Sequence, residues 1–374
     1  MTEQPPYDLA IECNRIVDSS QGIDSPGVIL VRDQRIAHVE FSRTPAKKPA
    51  VRTVQCSEGI LLPGLIDLHA HPAVRNSVFG TAPDNTMLPR GVAAVLSQGD
   101  AGADGIDDYV DSTIVPSKTI VRLAINLSRI GESTEGGCLE NIRDADIDAC
   151  VAAIDRHPEL VPAIAVNLSH HACGDSDPKE VFRRGLEAAR QSDRPILFGL
   201  RRPEDWPLAE QLELLRPGDI VTYCFRREPH CIVEKNRVLP CVIDAQLRGV
   251  NFDIGHGMAS FSFDVAEAAI GDGFLPNTIS TDHQSRHVGN DPVHDLPLVM
   301  SKLRAAGMDE QDIFAAVTST PSQLINFGDV PNQIRVGAPA RFTLLIEQND
   351  RVLEDCFGVR RNATLWDGTG STGS

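Results

Sequence analysis

The chain has 374 residues, a formal net charge of −17 at pH 7, 41% hydrophobic residues and 23% charged residues. This balance is typical of a folded protein with a sizeable core and is too apolar for a disordered one. Because phosphate backbones and anionic membranes repel an acidic chain, we expect neither nucleic-acid nor membrane partners. A small-molecule substrate, including an anionic one, is compatible with this charge because a local arginine or metal can outweigh the global field.

The cysteine pattern and the N-terminal residues bear on the cellular compartment. The nine cysteines include no CxxC pair, and the first residues lack the basic and apolar regions of a secretory signal. No apolar run approaches the roughly 18 residues of a membrane span. We therefore expect a cytoplasmic protein with reduced thiols.

The two ends of the chain predict short β-strands. Residues 7–16, 27–31 and 35–41 are apolar segments, the last two separated by a turn, which indicates a small β domain. Strand-like segments return at 341–346 and 352–359. The final residues, 367–374, are rich in Gly, Ser and Thr, and this composition predicts a flexible tail.

From residue 60 onward, apolar strand-like segments alternate with amphipathic helical ones, and Asp177 and Asp295 mark the starts of two of the helices. Near-continuous apolar strands between helices indicate a parallel sheet that is covered on both faces. A doubly wound sheet is the competing architecture, but no glycine-rich phosphate motif follows an early strand. Eight strand–helix units predict a (β/α)₈ barrel. The predicted strands are 60–69, 91–98, 119–127, 161–168, 195–200, 219–225, 250–254 and 277–282.

The strongest chemical motif is PGLIDLHAH at the end of the first predicted barrel strand. Residues i and i+2 of a strand share a face, so His69 and His71 would point together from its C-terminal end, where such barrels carry their active sites. Two converging imidazoles suit zinc, iron or manganese. Two structural histidines with satisfied hydrogen bonds are the alternative for so short a motif.

A carboxylate ends the eighth predicted strand, in the segment TISTDH. The eighth strand closes the barrel beside the first, so Asp282 would lie near His69 and His71. A carboxylate in this position can ligate a metal and accept a proton from the attacking water. Asp282 alone could be a helix cap or turn residue, but the three residues together favour a metal site.

PGLIDLHAH followed by STD after the eighth strand resembles the amidohydrolase superfamily of metal-dependent hydrolases. LRPGDIVTYCF, FDIGHGMASFSFDVA and FLPNTISTDHQSR are similar to its dihydroorotase-like group of amidohydrolases and deacetylases. The resemblance covers nearly the whole chain. It implies an α/β fold that consists of a (β/α)₈ TIM barrel at 61–333 and a small β-sandwich formed by 1–60 and 334–366. It also implies hydrolysis of an amide, cyclic amide or ester by metal-activated water, and self-association into a homo-oligomer.

The sequence departs from the binuclear members of that group. Those members bridge two metals with a carboxylated lysine on the fourth strand and use single histidines after the fifth and sixth strands. Here the lysine position falls on Ile164 or Ala165, and Gly199 and Tyr223 stand where the histidines are expected. Aliphatic side chains and glycine offer no metal ligand. We therefore expect one divalent ion, zinc first, with manganese or iron as alternatives.

Three further residues are candidates for substrate contact. His256 lies between two glycines after the seventh strand, Tyr223 ends the sixth, and His170 follows the fourth. A packed aromatic is the structural alternative for Tyr223, and a solvated loop histidine is the alternative for His170. The arginine pairs 201–202 and 226–227 follow the fifth and sixth strands and hint at an anionic substrate.

The leading hypothesis is a metal-dependent hydrolase of carbon–nitrogen or ester bonds. His69 and His71 ligate the metal, and Asp282 ligates it or acts as the catalytic base. A mononuclear deaminase, isomerase or lyase on the same barrel is the second hypothesis. The third is a catalytically degenerate homologue, which the loss of three family ligands suggests and the retained trio opposes.

Overall fold

The structure is a computed structural model that describes residues 7–46, 48–201, 205–229, 231–328, 330 and 333–372. The strands are β1 Tyr7–Asp18, β2 Ile23–Arg32, β3 Arg35–Phe41, β4 Ala50–Cys56, β5 Ile60–Pro63, β6 Leu65–Ala70, β7 Val92–Gln98, β8 Ile120–Asn126, β9 Ala163–Asn167, β10 Ile196–Gly199, β11 Ile220–Val221, β12 Val233–Glu234, β13 Arg237–Val238, β14 Asn251–Phe252, β15 Arg341–Glu354 and β16 Arg360–Thr372.

The α-helices are α1 Pro83–Thr86, α2 Ile106–Tyr109, α3 Ile147–Arg156, α4 His170–Cys173, α5 Pro178–Ser192, α6 Leu208–Glu213, α7 Pro240–Leu247, α8 Phe263–Gly271, α9 Leu296–Ala305, α10 Glu310–Ala316 and α11 Ser319–Leu324. Two helix starts were predicted from the sequence. Asp177 accepts the N–H of Lys179 at the start of α5, and Asp295 accepts the N–H of Leu298 at the start of α9. These N-caps satisfy N–H groups that have no partner inside the helix.

Strands from both ends of the chain share one seven-stranded sheet. Its order is β16-β15-β5-β1-β2-β3, and β4 pairs with β1 in parallel. Apolar side chains of Ile16, Ile29 and Phe342 pack together in its core. β15 pairs antiparallel with β5, which directly precedes the first barrel strand. The division of the chain into two domains at residues 60 and 334 remains a prediction.

The second sheet is the barrel, and it confirms the predicted α/β barrel class. Seven parallel strands follow the order β14-β11-β10-β9-β8-β7-β6. The eighth predicted strand, 277–282, bridges Asp253 through Thr278 on one side, and the next residue, His283, bridges Ala70 on the other. Side-chain hydrogen bonds replace part of the regular ladder there.

The interior of the curled sheet is filled by alternating residues of its strands. One apolar cluster contains Ile66 and Leu68 of β6, Leu96 of β7 and Leu197 of β10, and it is joined by Phe327 from beyond α11. Alternation along each strand sends the intervening side chains outward to the helices. Apolar side chains therefore fill the interior of the barrel. The polar residues at the C-terminal ends of the strands lie at its mouth.

The last strand corrects a prediction. Residues 367–372, assigned to a flexible tail, belong to β16, where Asp367 pairs with Ile346 and Thr372 pairs with Arg341. Asp367 also accepts a hydrogen bond from Arg90 at 2.6 Å. The small residues that suggested flexibility allow close packing on the barrel instead. Residues 373 and 374 lie outside the described part of the chain.

All nine cysteines are free thiols. Within the described residues, no helix combines the length and apolarity needed to cross a membrane.

The packing of Gly368 gives a first prediction. A Cβ at this position would lie 2.5 Å from Cγ of Pro297 and 2.8 Å from the carbonyl oxygen of Arg90. We expect Gly368→Ala to lower the free energy of unfolding by about 1–3 kcal/mol through overpacking, as measured by urea denaturation. Thr369→Ala, at the exposed neighbour, is the control. Equal midpoints for both variants would show that this segment does not pack on the barrel.

Candidate metal centre

Three side chains converge at the mouth of the barrel. His69 is the last residue but one of β6, His71 directly follows this strand, and Asp282 ends the eighth segment. The Nε2 atoms of His69 and His71 lie 3.5 Å and 3.2 Å from Oδ1 of Asp282. One ligand atom from each residue lies within 4.8 Å of the others. All three side chains are buried, which is the arrangement expected of a metal site rather than of solvated charges.

Hydrogen bonds on the far side of each ring fix its orientation. Nδ1 of His71 lies 3.0 Å from Oδ1 of the buried Asp100, an acceptor. Nδ1 of His69 lies 2.8 Å from the hydroxyl of Thr222, which donates to Asp253 at 2.9 Å and therefore accepts from the ring. In its neutral form each ring therefore carries its proton on Nδ1 and presents the Nε2 lone pair to Asp282, as in carboxylate–histidine–metal arrangements.

Two of the converging atoms have no other partner. Nε2 of His69 and Oδ1 of Asp282 are buried and make no hydrogen bond within the described part of the chain. A buried polar atom without a partner costs about 1–3 kcal/mol. A divalent cation would satisfy both atoms at once, and an imidazole–carboxylate donor set fits zinc, manganese or iron.

The electrostatics of the site favour positive charge. Burial lowers the pKa of His69, but the charges of Asp282 and Asp253 outweigh burial and raise that pKa to about 9. Burial raises the pKa of Asp282, but the imidazoles of His69 and His71 outweigh it and hold that pKa well below its usual range. A field that stabilises protons on Nε2 also stabilises a cation that replaces them.

The backbone is irregular where it delivers these groups. Asp282 has φ 50° and Tyr223 has φ 69°, both in the left-handed region that residues other than glycine seldom adopt. A Cβ at Gly257 would lie 2.4 Å from Oδ2 of Asp282. Strained backbone of this kind occurs often at active sites.

A cavity of about 310 Å³ opens onto the metal centre. Asp282, His71 and Tyr223 line it together with the amide side chains of Gln98 and Gln284. Both amide atoms of Gln98 and Oε1 of Gln284 are buried and have no hydrogen-bond partner among the described residues. These free donors and acceptors are available to a polar ligand.

The other predicted contacts fall in different places. Tyr223 lines the cavity, with its ring centroid 5.2 Å from that of His69. His256 does not line it: its Nε2 accepts a hydrogen bond from Lys302 at 2.8 Å and its Nδ1 donates to the carbonyl of Gly257. His170 does not line it either, because it pairs with Asp205, whereas the next residue, His171, does.

The predicted arginine pairs also separate. Arg226 lines the cavity, whereas Arg227 pairs with Asp264 at 2.6 Å. Arg201 is buried and its Nε lies 3.4 Å from Asp205. Arg202 lies outside the described residues.

Sequence reasoning missed several residues of the site. Asp100 and Asp253 orient the two imidazoles, and Arg286 lines the cavity. Glu132 also lines it, and burial raises its pKa to about 7. Asp100 closely follows the predicted strand 91–98, and Asp253 lies near the C-terminal end of the predicted strand 250–254, and this position was the available signal.

Comparisons with known proteins agree with this geometry. No family model matches the sequence. A deacetylase of Agrobacterium fabrum is 32% identical over 324 residues, which cover 86% of this chain and 78% of that protein. The crystal structure of a dihydroorotase is 29% identical with a TM-score of 0.86 and covers 98% of this chain and 96% of its own. That of an adenine deaminase is 27% identical with a TM-score of 0.85 and covers 97% and 96%.

The chain belongs to the amidohydrolase superfamily. Within it, the chain is a dihydroorotase-like amidohydrolase/deacetylase, a metal-dependent enzyme that acts on carbon–nitrogen bonds. The predicted recognition and enzyme class are confirmed, and the hypothesis of a catalytically degenerate homologue is not supported.

The support of His69 by Thr222 gives a second prediction. Thr222→Val removes the hydroxyl that accepts from Nδ1 of His69 and leaves that N–H buried without a partner. We expect the affinity for zinc to fall about 10- to 100-fold, as for other partners of metal-binding histidines. Competition with a chelator of known affinity measures it. Thr53→Val, on an exposed position of β4, is the control, and an unchanged affinity in Thr222→Val would contradict this role.

Proposed function

We propose that His69, His71 and Asp282 hold one divalent cation, zinc before manganese or iron, and that the enzyme hydrolyses the amide bond of a small N-acyl compound. The observation that carries this proposal is the orientation of the two imidazoles. Each Nδ1 is held by a buried partner, so each Nε2 is directed at one carboxylate oxygen that has no other hydrogen bond.

A single metal is supported by what stands at the positions of a second one. Ala165 lines the cavity in the region where a bridging lysine would lie, and it offers no ligand atom. A side chain at Gly199 would meet Oδ1 of Asn167 at 2.9 Å. The ring of Tyr223 occupies the third position and packs on His69. Ala165 and Gly199 offer no ligand atom, and burial raises the pKa of the Tyr223 phenol well above its usual value, so this neutral hydroxyl is a poor substitute for a histidine.

The residues divide the work of hydrolysis between them. A cation held by the three ligands would supply Lewis acidity, which lowers the pKa of a coordinated water to about 7 and polarises a carbonyl group. Asp282 takes a proton from the attacking water and delivers it to the leaving nitrogen, so that an acid and an amine are released. The free amide of Gln98 has both a donor and an acceptor for the amide group of the substrate.

In this proposal Tyr223 donates a hydrogen bond to the reacting carbonyl oxygen. Burial raises the pKa of its phenol well above the usual value, and the charge of Asp282 adds to this effect. The hydroxyl is therefore a neutral donor at physiological pH. A donor aimed at the developing oxyanion in a buried site stabilises the transition state strongly.

The similar proteins support amide hydrolysis, and the cysteines support a cytoplasmic location. The Agrobacterium relative is named a deacetylase, so N-acetyl compounds are the first substrates to test. The adenine deaminase among the structural neighbours makes adenine the comparison substrate. Nine free cysteines support the proposal of a cytoplasmic location.

Metal content tests the centre directly. We expect one zinc per chain in reconstituted protein by elemental analysis, and about a tenth of that or less in His69→Ala and Asp282→Ala, because two remaining ligands cannot hold the ion. His157→Ala, at a surface histidine paired with Asp107, is the control. Two zinc ions per chain would contradict the single-metal proposal, and full zinc content in the two ligand variants would contradict the ligand assignment.

Removing the phenol hydroxyl tests the donor role. We expect Tyr223→Phe to lower kcat about 10²- to 10³-fold with little change in KM, because the bond forms mainly in the transition state. Zinc content should be unchanged. Tyr7→Phe in β1 is the matched control. A change confined to KM would assign Tyr223 to substrate binding alone.

A further inference from the structure

Each imidazole of the metal centre packs against an aromatic ring, and the guanidinium group of an arginine lies over that ring. The ring centroid of Tyr223 lies 5.2 Å from that of His69, and the guanidinium carbon of Arg226 lies 4.9 Å from the Tyr223 centroid. On the other side, the ring of Phe79 lies 5.3 Å from that of His71, and the guanidinium carbon of Arg286 lies 5.2 Å from the Phe79 centroid.

These two imidazole–aromatic–arginine groups place two guanidinium cations at one cavity. Both aromatic rings and both arginines line the cavity that opens onto Asp282. Tyr223 and Arg226 follow β11, whereas Arg286 lies beyond the eighth segment, so the two arginines come from different barrel loops. Each guanidinium lies one aromatic ring away from an imidazole of the metal centre.

Neither arginine is neutralised by a carboxylate of the described residues. The described residues provide no ion pair and no side-chain hydrogen bond to Arg226 or Arg286, whereas Arg227 next to the first pairs with Asp264. A guanidinium stacked on a ring keeps the N–H groups at its edge free for a planar acceptor. Carboxylates accept such a fork through two parallel hydrogen bonds.

The remaining lining explains why two cations are present. Besides Asp282, one carboxylate of the described residues lines the cavity, that of Glu132. One arginine would only balance this charge, whereas two leave an excess of positive charge for a ligand. The free amides of Gln98 and Gln284 add neutral hydrogen-bonding groups between the metal centre and the mouth.

We infer that Arg226 and Arg286 bind a carboxylate of the substrate. The substrate is therefore an N-acyl amino acid, or another N-acyl compound with a carboxylate, rather than a neutral amide or a purine. The inference rests on the proposed function for the scissile bond, and it adds the group that the enzyme recognises. The guanidinia hold the anionic end at the mouth while the acyl group lies at His69, His71 and Asp282. The negative net charge of the chain makes this local concentration of cations necessary for an anion.

The test compares acids with matched neutral compounds. One mixture contains the N-acetyl derivatives of the common amino acids, and the other contains their C-terminal carboxamides. Binding to zinc-loaded protein is measured by saturation-transfer NMR, and acetate release is measured separately. We expect binding and release to favour the acids at least about 10-fold, since each charged hydrogen-bonded pair contributes about a factor of 10 to 100.

Arginine variants assign the preference to the two side chains. Arg226→Met and Arg286→Met should each lower the preference for acids about 10- to 100-fold, and Arg286→Lys, which keeps the charge but not the fork, should fall between wild type and Met. Arg351→Met, at an exposed arginine of β15 outside the cavity, is the matched control. The preference is read within each variant as the ratio of acids to carboxamides, so that general damage to the site, which lowers both, leaves the ratio unchanged.

The outcomes separate this inference from the proposed function. It is overturned if acids and carboxamides bind equally, if neither set binds, or if the preference survives both methionine variants. Zinc-dependent acetate release from both sets alike would leave the proposed function intact and remove only the carboxylate site. Binding of acids that depends on the arginines, without any acetate release, would support the carboxylate site and count against amide hydrolysis.

Discussion

The buried carboxylate of Asp67 closes the barrel, and the metal centre depends on it. One oxygen accepts the backbone N–H groups of Thr281 at 3.1 Å and His69 at 3.3 Å, and the other accepts the Thr281 hydroxyl at 2.6 Å. Burial raises the pKa of Asp67 to about 7, against the effect of these bonds. The bonds tie β6 to the eighth segment, so His69 and Asp282, which adjoin the bonded atoms, are held at a fixed separation.

Irregular backbone then directs the ligands. The pairing of β6 with β7 shifts its register between Asp67 and Ala70, the stretch that contains His69. Leu68 packs inside the barrel, and strict alternation would send His69 to the opposite face. A local shift of this kind re-aims a side chain, as β-bulges do beside active sites. The left-handed φ of Asp282 has the same effect from the other side, at a cost of about 1–3 kcal/mol that the surrounding hydrogen bonds offset.

The sequence predicts the barrel because its signals are local. Apolar alternation and N-cap residues such as Asp177 depend only on neighbouring residues, and both are confirmed. The two histidines were predicted to converge from their spacing alone, yet the structure achieves this convergence through a register shift that spacing does not encode. Their position near strand ends did not assign a role to Asp100 and Asp253, because that role depends on contacts that only the fold creates, with Nδ1 of His71 and with the Thr222 hydroxyl that supports His69.

At two places the structure uses glycine differently from the sequence-based expectation. The glycines beside His256 suggested access for a ligand. Instead, a Cβ at Gly255 would lie 3.0 Å from Nδ1 of His69, and one at Gly257 would press on Asp282. The glycines of residues 367–372 suggested a loose tail, and they allow close packing as well. In both places glycine makes room for the protein itself.

Tyr223 links the number of metals to the charge of the substrate. It stands where the family resemblance places a histidine ligand, and its ring both packs on His69 and supports Arg226. A histidine at this position would offer a ligand nitrogen for a second ion but would remove the larger ring on which the guanidinium stacks. The phenol donor of Tyr223 would be lost by the same substitution. In the proposed enzyme, therefore, a second metal and a carboxylate site of this design exclude each other, because both would require the same side chain.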